Sequence, residues 1–243
     1  MKDPIINTYI GLLNKHKNDT NCAFVFGAGP SLHNLYTCDK KIINEIKKHV
    51  IIFVNSAIIA GKDIFTLNND TKKYWISNDA LCRNWSWYNE CVKESNYTKI
   101  VRNSWWKYRD ELKDFLFFSP RPTAEGVINP DDYGLSYPSS IPSAIDLCIQ
   151  MNIKKIFILG LDQCLDKKTN YHHFWQLLKN QPRQLRPAQA RWEIQKKVFP
   201  INNIAYNALQ GFAEHKRCKI YNCNPNSEVD AFEKIKLEEI FEK

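Results

Sequence analysis

The sequence predicts an α/β fold, three layers deep around a mainly parallel sheet, and three observations carry that expectation. Short apolar runs recur at 22–26 (CAFVF), 50–54 (VIIFV), 73–76 (KYWI), 155–159 (KIFIL) and 219–221 (KIY), each short enough for a buried strand. Helix-like stretches alternate with them, the pattern that builds a parallel sheet covered on both faces. The runs also end in small polar residues: Gly27 to Ser31, Asn55-Ser56, Ser77-Asn78-Asp79, Gly160-Leu161-Asp162 and Asn222 to Ser227. Ligands of such folds sit beyond the carboxyl ends of the strands, so these segments are expected to share one rim.

Taken in order, residues 3–17 space Ile5, Ile6, Tyr9, Ile10, Leu12 and Leu13 as one helical face, with Asp3-Pro4 as cap and first turn. The first strand breaks into Gly27, Ala28, Gly29, Pro30 and Ser31, a turn in which glycine admits a ligand pressed against the main chain. Residues 40–48 read as a helix before the second strand, and a Trp-rich stretch after the third runs helically to Val92. Residues 99–102 and 115–118 are two further short strands around a helical 105–113. Four prolines and two glycines between 119 and 138 predict a long ordered loop. Residues 139–151 form a serine-capped helix leading into strand 155–159. From 163 to 200 the chain turns basic and aromatic, and Pro182, Pro187 and Pro200 are expected to break it into a helical flap. A helix over 202–215, a last strand and a short helix over 235–241 close one domain spanning 1–243.

With 243 residues, 44% hydrophobic and 13% aromatic, the chain suffices for one sizeable core. No apolar run approaches the roughly 18 residues of a membrane span, and no export signal heads the sequence. Eight cysteines lie scattered without a C-x-x-C pair, which points to buried thiols in the cytoplasm and away from zinc or disulfides. A net charge of +8 admits nucleotides, nucleic acid or an anionic glycolipid surface as partners, or reflects composition and solubility alone. A homo-oligomer is compatible with all of this.

Chemistry is expected at the strand ends. Backbone N–H groups of the turn at Gly27, Ala28, Gly29, Pro30 and Ser31 suit a pyrophosphate. A dinucleotide fingerprint fails, because Leu32 stands at the third glycine and Asn55 where an acidic residue belongs; a Walker loop fails for want of Gly-Lys-Ser/Thr. Asn55 with Ser56, and Asn78, either bind ribose, base or phosphate or close their strands as Asx turns. Asp79 and Asp162 either hold Mg²⁺, orient a hydroxyl or cap the following helices. His172 and His173, beside Tyr171, either pair a base near neutrality with a phosphate-binding phenol or simply face solvent. Arg183, Arg186 and Arg191, interleaved with Trp175 and Trp192, either close over donor phosphates, bind nucleic acid or form a solvated helical hairpin.

VFGAGPSL, VNSA, YWISNDA, SSIPSAIDLCIQMNIKKIFILGLD and KIYNCNPNSEVDAF together resemble a Rossmann-like superfamily. It includes bacterial lipooligosaccharide sialyltransferases, archaeal hydroxymethylpterin pyrophosphokinases and many uncharacterised bacterial and phage relatives. The resemblance runs from about 24 to 232, with 97–138 poorly covered. It implies that Gly29, Pro30 and Ser31 face a donor phosphate, that Asn55 and Asn78 bind the donor, and that Ser139 and Ser140 begin the sugar and phosphate contacts. It also sets Tyr171 near a tyrosine that stabilises the departing phosphate. Two positions depart: Cys164 replaces a phosphate-binding tyrosine, and Pro200 falls on the family's catalytic histidine. The base therefore falls to His172 or His173 by a different route, and Asp162 is a further catalytic candidate.

The expected function is a glycosyltransferase moving a sugar from a nucleotide sugar to a hydroxyl acceptor on a glycan or a modified nucleic acid, with no cofactor required. One alternative is Mg²⁺-dependent pyrophosphate transfer to a hydroxymethylpterin-like molecule, with Asp79 and Asp162 as ligands. Another is a non-catalytic nucleotide- or nucleic-acid-binding protein.

Overall fold

A run such as VIIFV can hide all its side chains only where both faces of a strand are covered, and all five of its residues are buried. The structure, a computed structural model, describes residues 13, 21–66, 72–121, 128, 134–136, 138–164, 172–178 and 188–242, the last stretch with side chains from 193. Strands β1 (Cys22–Phe26), β2 (Val50–Val54), β3 (Lys73–Ser77), β4 (Thr98–Arg102), β5 (Phe115–Phe118), β8 (Lys155–Leu159), β9 (Lys219–Asn222) and β10 (Glu233–Lys234) form one sheet. Its order is β10-β9-β8-β1-β2-β3-β4-β5, and each neighbouring pair is parallel. Short strands β6 (Pro120–Arg121) and β7 (Leu135–Ser136) pair separately, within the stretch expected to be loop. The whole is a Rossmann-like α/β domain.

Alternation along the strands separates two cores. Phe24, Phe26, Ile51, Phe53 and Trp75 face an aromatic layer. Phe24 stacks on Phe157 at 5.4 Å, Phe53 on Tyr97 at 5.4 Å, and Trp75 meets Trp105 edge-on at 6.0 Å. Short helical pieces cover this face: a 3-10 segment at Pro30–Tyr36, helix α1 (Lys40–Ile46), and further 3-10 and π turns over the Trp-rich stretch. Ala23, Val25, Ile52 and Ile76 face the other way, onto helices α2 (Ser140–Gln150) and α3 (Ala188–His215).

Helix α3 overturns one expectation. It runs unbroken through Pro200, where a break was predicted. An interior proline loses one backbone hydrogen bond and costs about 3 kcal/mol. Pro200 is exposed, while Ala205, Tyr206, Leu209, Phe212 and Ala213 are buried against the sheet, each large apolar group contributing about 1.5–3 kcal/mol. Packing therefore outweighs the local penalty, and the end of the expected 163–200 flap is instead the first half of α3. The helix expected at 235–241 shrinks to a 3-10 turn, Leu237–Glu239. Of the helix expected at 3–17, only Leu13 lies within the described residues. No helix among the described residues is long and apolar enough to cross a membrane.

Candidate functional site

From β1 the chain lays β2 to β5 on one side, whereas β8, β9 and β10 extend the other, so the order reverses between β1 and β8. The loops after these two strands part at that point and leave a crevice. Their contact is backbone on backbone. A Cβ on Gly27 would stand 2.5 Å from the Gly160 carbonyl oxygen, and one on Gly160 would overlap the Gly27 carbonyl. Gly160 also has φ +76, the left-handed region.

The glycine turn is thus shaped by its neighbour, and three of its backbone N–H groups are engaged within the protein. Gly27 N–H donates to Leu159 O at 2.7 Å, Gly29 N–H to Gly160 O at 2.9 Å and Ser31 N–H to Asp162 Oδ2 at 3.3 Å. Pro30 has no N–H to offer. A Cβ on Gly29 would overlap the Asp162 carboxylate, so that side chain already fills the hollow of the turn. Asp162 also accepts from the Asn224 amide. Burial raises its carboxyl above the ordinary value, against the opposing pull of the hydrogen bonds from Ser31 and Asn224.

At the end of β2, Asn55 takes the left-handed conformation, φ +51. Its carbonyl accepts from Trp75 Nε1 at 2.9 Å, and its Oδ1 accepts from the Ser140 hydroxyl at 3.3 Å. Ser140 Oγ in turn accepts the Asn78 N–H at 2.9 Å. The Asn78 side chain turns away from the crevice to donate to Ser143 Oγ at 3.0 Å, and the Ser143 hydroxyl donates to Ser136 O at 2.6 Å. Asn78 therefore seats the start of α2 behind the wall, although a donor contact was expected of it. Deeper in α2, fully buried Asp146 accepts from Ser136 N–H and Oγ, both at 2.7 Å, and pairs with buried Arg121.

These segments enclose a first cavity of about 220 Å³. Ala28, Gly29, Pro30, Asn55, Ser139, Ser140 and Asp162 line it, all expected there, while Gly27 and Ser31 lie behind its surface. Its far wall went unforeseen. Gln195, Phe199, Asn202 and Tyr206 project from α3 at intervals of four, three and four residues, one face of a continuous helix. An assumed break at Pro200 hides that stripe; reading straight through it would have shown it. Gln163, left-handed at φ +51 like Asn55, completes the wall. Gln195 Oε1 and Asn202 Oδ1 are buried without a hydrogen-bond partner among the described residues.

His172 and His173 stand between this cavity and a second one of about 290 Å³ and line both. Gln176 Oε1 accepts the N–H of His172 at 2.7 Å and of His173 at 2.9 Å, so one amide pins the pair. His172 Nδ1 lies 3.3 Å from Gln195 Nε2, and the His173 ring stacks on Trp175 at 5.4 Å. Ser56 and Asp79 line the second cavity and not the first; Ser56 Oγ accepts from Trp175 Nε1 at 3.1 Å, and Asp79 caps Leu81 N–H at 2.9 Å. Tyr171, Arg183 and Arg186 lie outside the described residues, as do the side chains of Arg191 and Trp192.

No family model matches the chain, and no curated protein does. Chemical capability therefore has to be read from the geometry. Neither cavity is lined by lysine or arginine among the described residues, and both offer amides, hydroxyls and imidazoles. No group of three or more His, Cys, Asp or Glu among those residues is placed to hold a metal ion, and Asp79 and Asp162 open onto different cavities. Such linings suit a neutral, polyhydroxylated ligand and proton transfer at a ring nitrogen.

Proposed function

We propose that the protein is a glycosyltransferase that moves a sugar from a nucleotide-sugar donor to a hydroxyl acceptor. One observation carries this: a cavity at the sheet's switch point, walled by amides with unpartnered buried acceptors, beside a pinned histidine pair. A buried acceptor left unpaired costs about 1–3 kcal/mol, and hydroxyls of a bound sugar or ribose would remove that cost at Gln195 and Asn202. The sequence resemblance to lipooligosaccharide sialyltransferases points to the same class. With the N–H groups of Gly27, Gly29 and Ser31 engaged within the protein, Arg183 and Arg186 are the proposed cations for the phosphate charge.

In the proposed step His172 or His173 accepts the proton of the acceptor hydroxyl. The acceptor oxygen bonds to the anomeric carbon, and the bond from that carbon to the phosphate oxygen breaks. Its electron pair leaves with the nucleotide, whose charge Tyr171 and the arginines offset.

Incubating the protein with a panel of nucleotide sugars and following nucleotide release by chromatography tests this. Release is expected with at least one donor, and replacing the active histidine with alanine should slow it by about 10²- to 10⁴-fold. If no donor is consumed and none raises the melting temperature, the proposal fails. AMP release from ATP that EDTA abolishes and Mg²⁺ restores would favour pyrophosphate transfer instead.

A further inference from the structure

The second cavity is the more aromatic of the two. Trp85, Trp87 and Trp175 line it, with Trp85 and Trp175 edge-to-face at 6.4 Å. Leu81 stands 65% exposed on its rim. Its polar groups are Asn55, Ser56 and Gln176, the two imidazoles of His172 and His173, and the Asp79 carboxylate at the edge.

We propose that this cavity is a saccharide subsite that holds the acceptor of the transfer. The assignment rests on the transferase proposal for its role, but its ligand chemistry stands on the lining alone. A pyranose has one face of C–H bonds and a periphery of hydroxyls. The C–H face packs against an indole, whose face is electron-rich, while the hydroxyls meet Asp79, Ser56 and Asn55. Among the described residues the lining holds no lysine or arginine and carries a carboxylate at its rim, which disfavours a phosphodiester chain, whose backbone needs cations. Continuity supplies the direction: Asn55, His172 and His173 belong to both cavities, so an acceptor on the tryptophans would present a hydroxyl to the imidazoles from the side opposite the donor.

Tryptophan fluorescence of the full chain, titrated with methyl galactoside, methyl glucoside, methyl N-acetylglucosaminide and lactose, reads this directly. The titrations are run alone and with CDP or UDP present, and uridine and cytidine serve as competing probes. At least one saccharide is expected to bind, with its dissociation constant raised about tenfold or more by Trp85→Ala. Leu81→Arg should block it as well; the exposed position leaves folding unchanged, which circular dichroism checks. The subsite is overturned if no saccharide binds in any condition, if binding ignores both substitutions, or if only the nucleosides respond. Saccharide binding without any consumption of nucleotide sugar would sink the transferase proposal alone. Donor consumption with a saccharide affinity indifferent to Trp85 and Leu81 would sink the subsite alone.

Discussion

Gly160→Ala probes the contact that creates the crevice. At φ +76 an alanine pays about 1–2 kcal/mol for the left-handed region. Its Cβ would also overlap the Gly27 carbonyl oxygen, stand 2.8 Å from the Gly27 carbonyl carbon and 3.1 Å from Leu32 Cβ. Two of those atoms are backbone, which no rotamer change can clear, so the loops must part; overpacking of this kind costs about 1–3 kcal/mol. The total, about 2–5 kcal/mol, is a large part of the 5–15 kcal/mol typical of a domain. Urea unfolding followed by circular dichroism should show the midpoint falling with little change in slope. Gly211→Ala is the control, since it lies on an exposed stretch of α3 with nothing within 4 Å of an added Cβ. It should gain about 0.5–1 kcal/mol from helix propensity. A loss below about 1 kcal/mol for Gly160→Ala would refute the backbone-to-backbone packing.

Further substitutions separate the frame of the site from its lining. Asp146→Ala removes the carboxylate that pairs with buried Arg121 and accepts from Ser136, and should cost about 3–5 kcal/mol in urea unfolding; a loss under about 1 kcal/mol would show that α2 does not depend on the pair. Asn202→Leu removes a buried, unpartnered acceptor, so it should stabilise the fold by about 1 kcal/mol while weakening nucleotide-sugar binding at least about tenfold in calorimetry. Reduced stability with unchanged binding would contradict that assignment. Asp162 gives a pH signature. Its raised carboxyl keeps its proton to higher pH when folded than when unfolded, so its contribution to stability is greatest below about pH 3.9 and declines as pH rises through the native value. Between about pH 3 and 7, wild type should therefore lose stability relative to Asp162→Asn, and parallel curves would refute the raised value.

Much of the frame was legible because strands announce themselves locally. VIIFV and KIFIL carry their burial in their own composition, and their ends at Asn55 and Asp162 do meet at one cavity. What escaped depends on partners far along the chain. The two glycines of the first turn read as room for a ligand, yet Gly27 makes room for Gly160, and Gly29 for the Asp162 carboxylate. Asn78 ends its strand as expected, but the hydroxyls of Ser140 and Ser143 claim it once α2 packs alongside. Pro200 carried a local signal that tertiary burial of Tyr206 and Leu209 overrode, and the Gln195-Asn202-Tyr206 stripe was lost with it.

Cys164 offers the most direct measurement of whether the switch-point cavity takes the donor. It lines that cavity and is exposed, whereas the other described cysteines are buried or half-buried. Alkylation by iodoacetamide, followed residue by residue by mass spectrometry, should slow at Cys164 when a nucleotide sugar that raises the melting temperature is present, and should stay unchanged at half-buried Cys22 and Cys38. An unprotected Cys164 under saturating donor would put the bound nucleotide elsewhere and contradict the account.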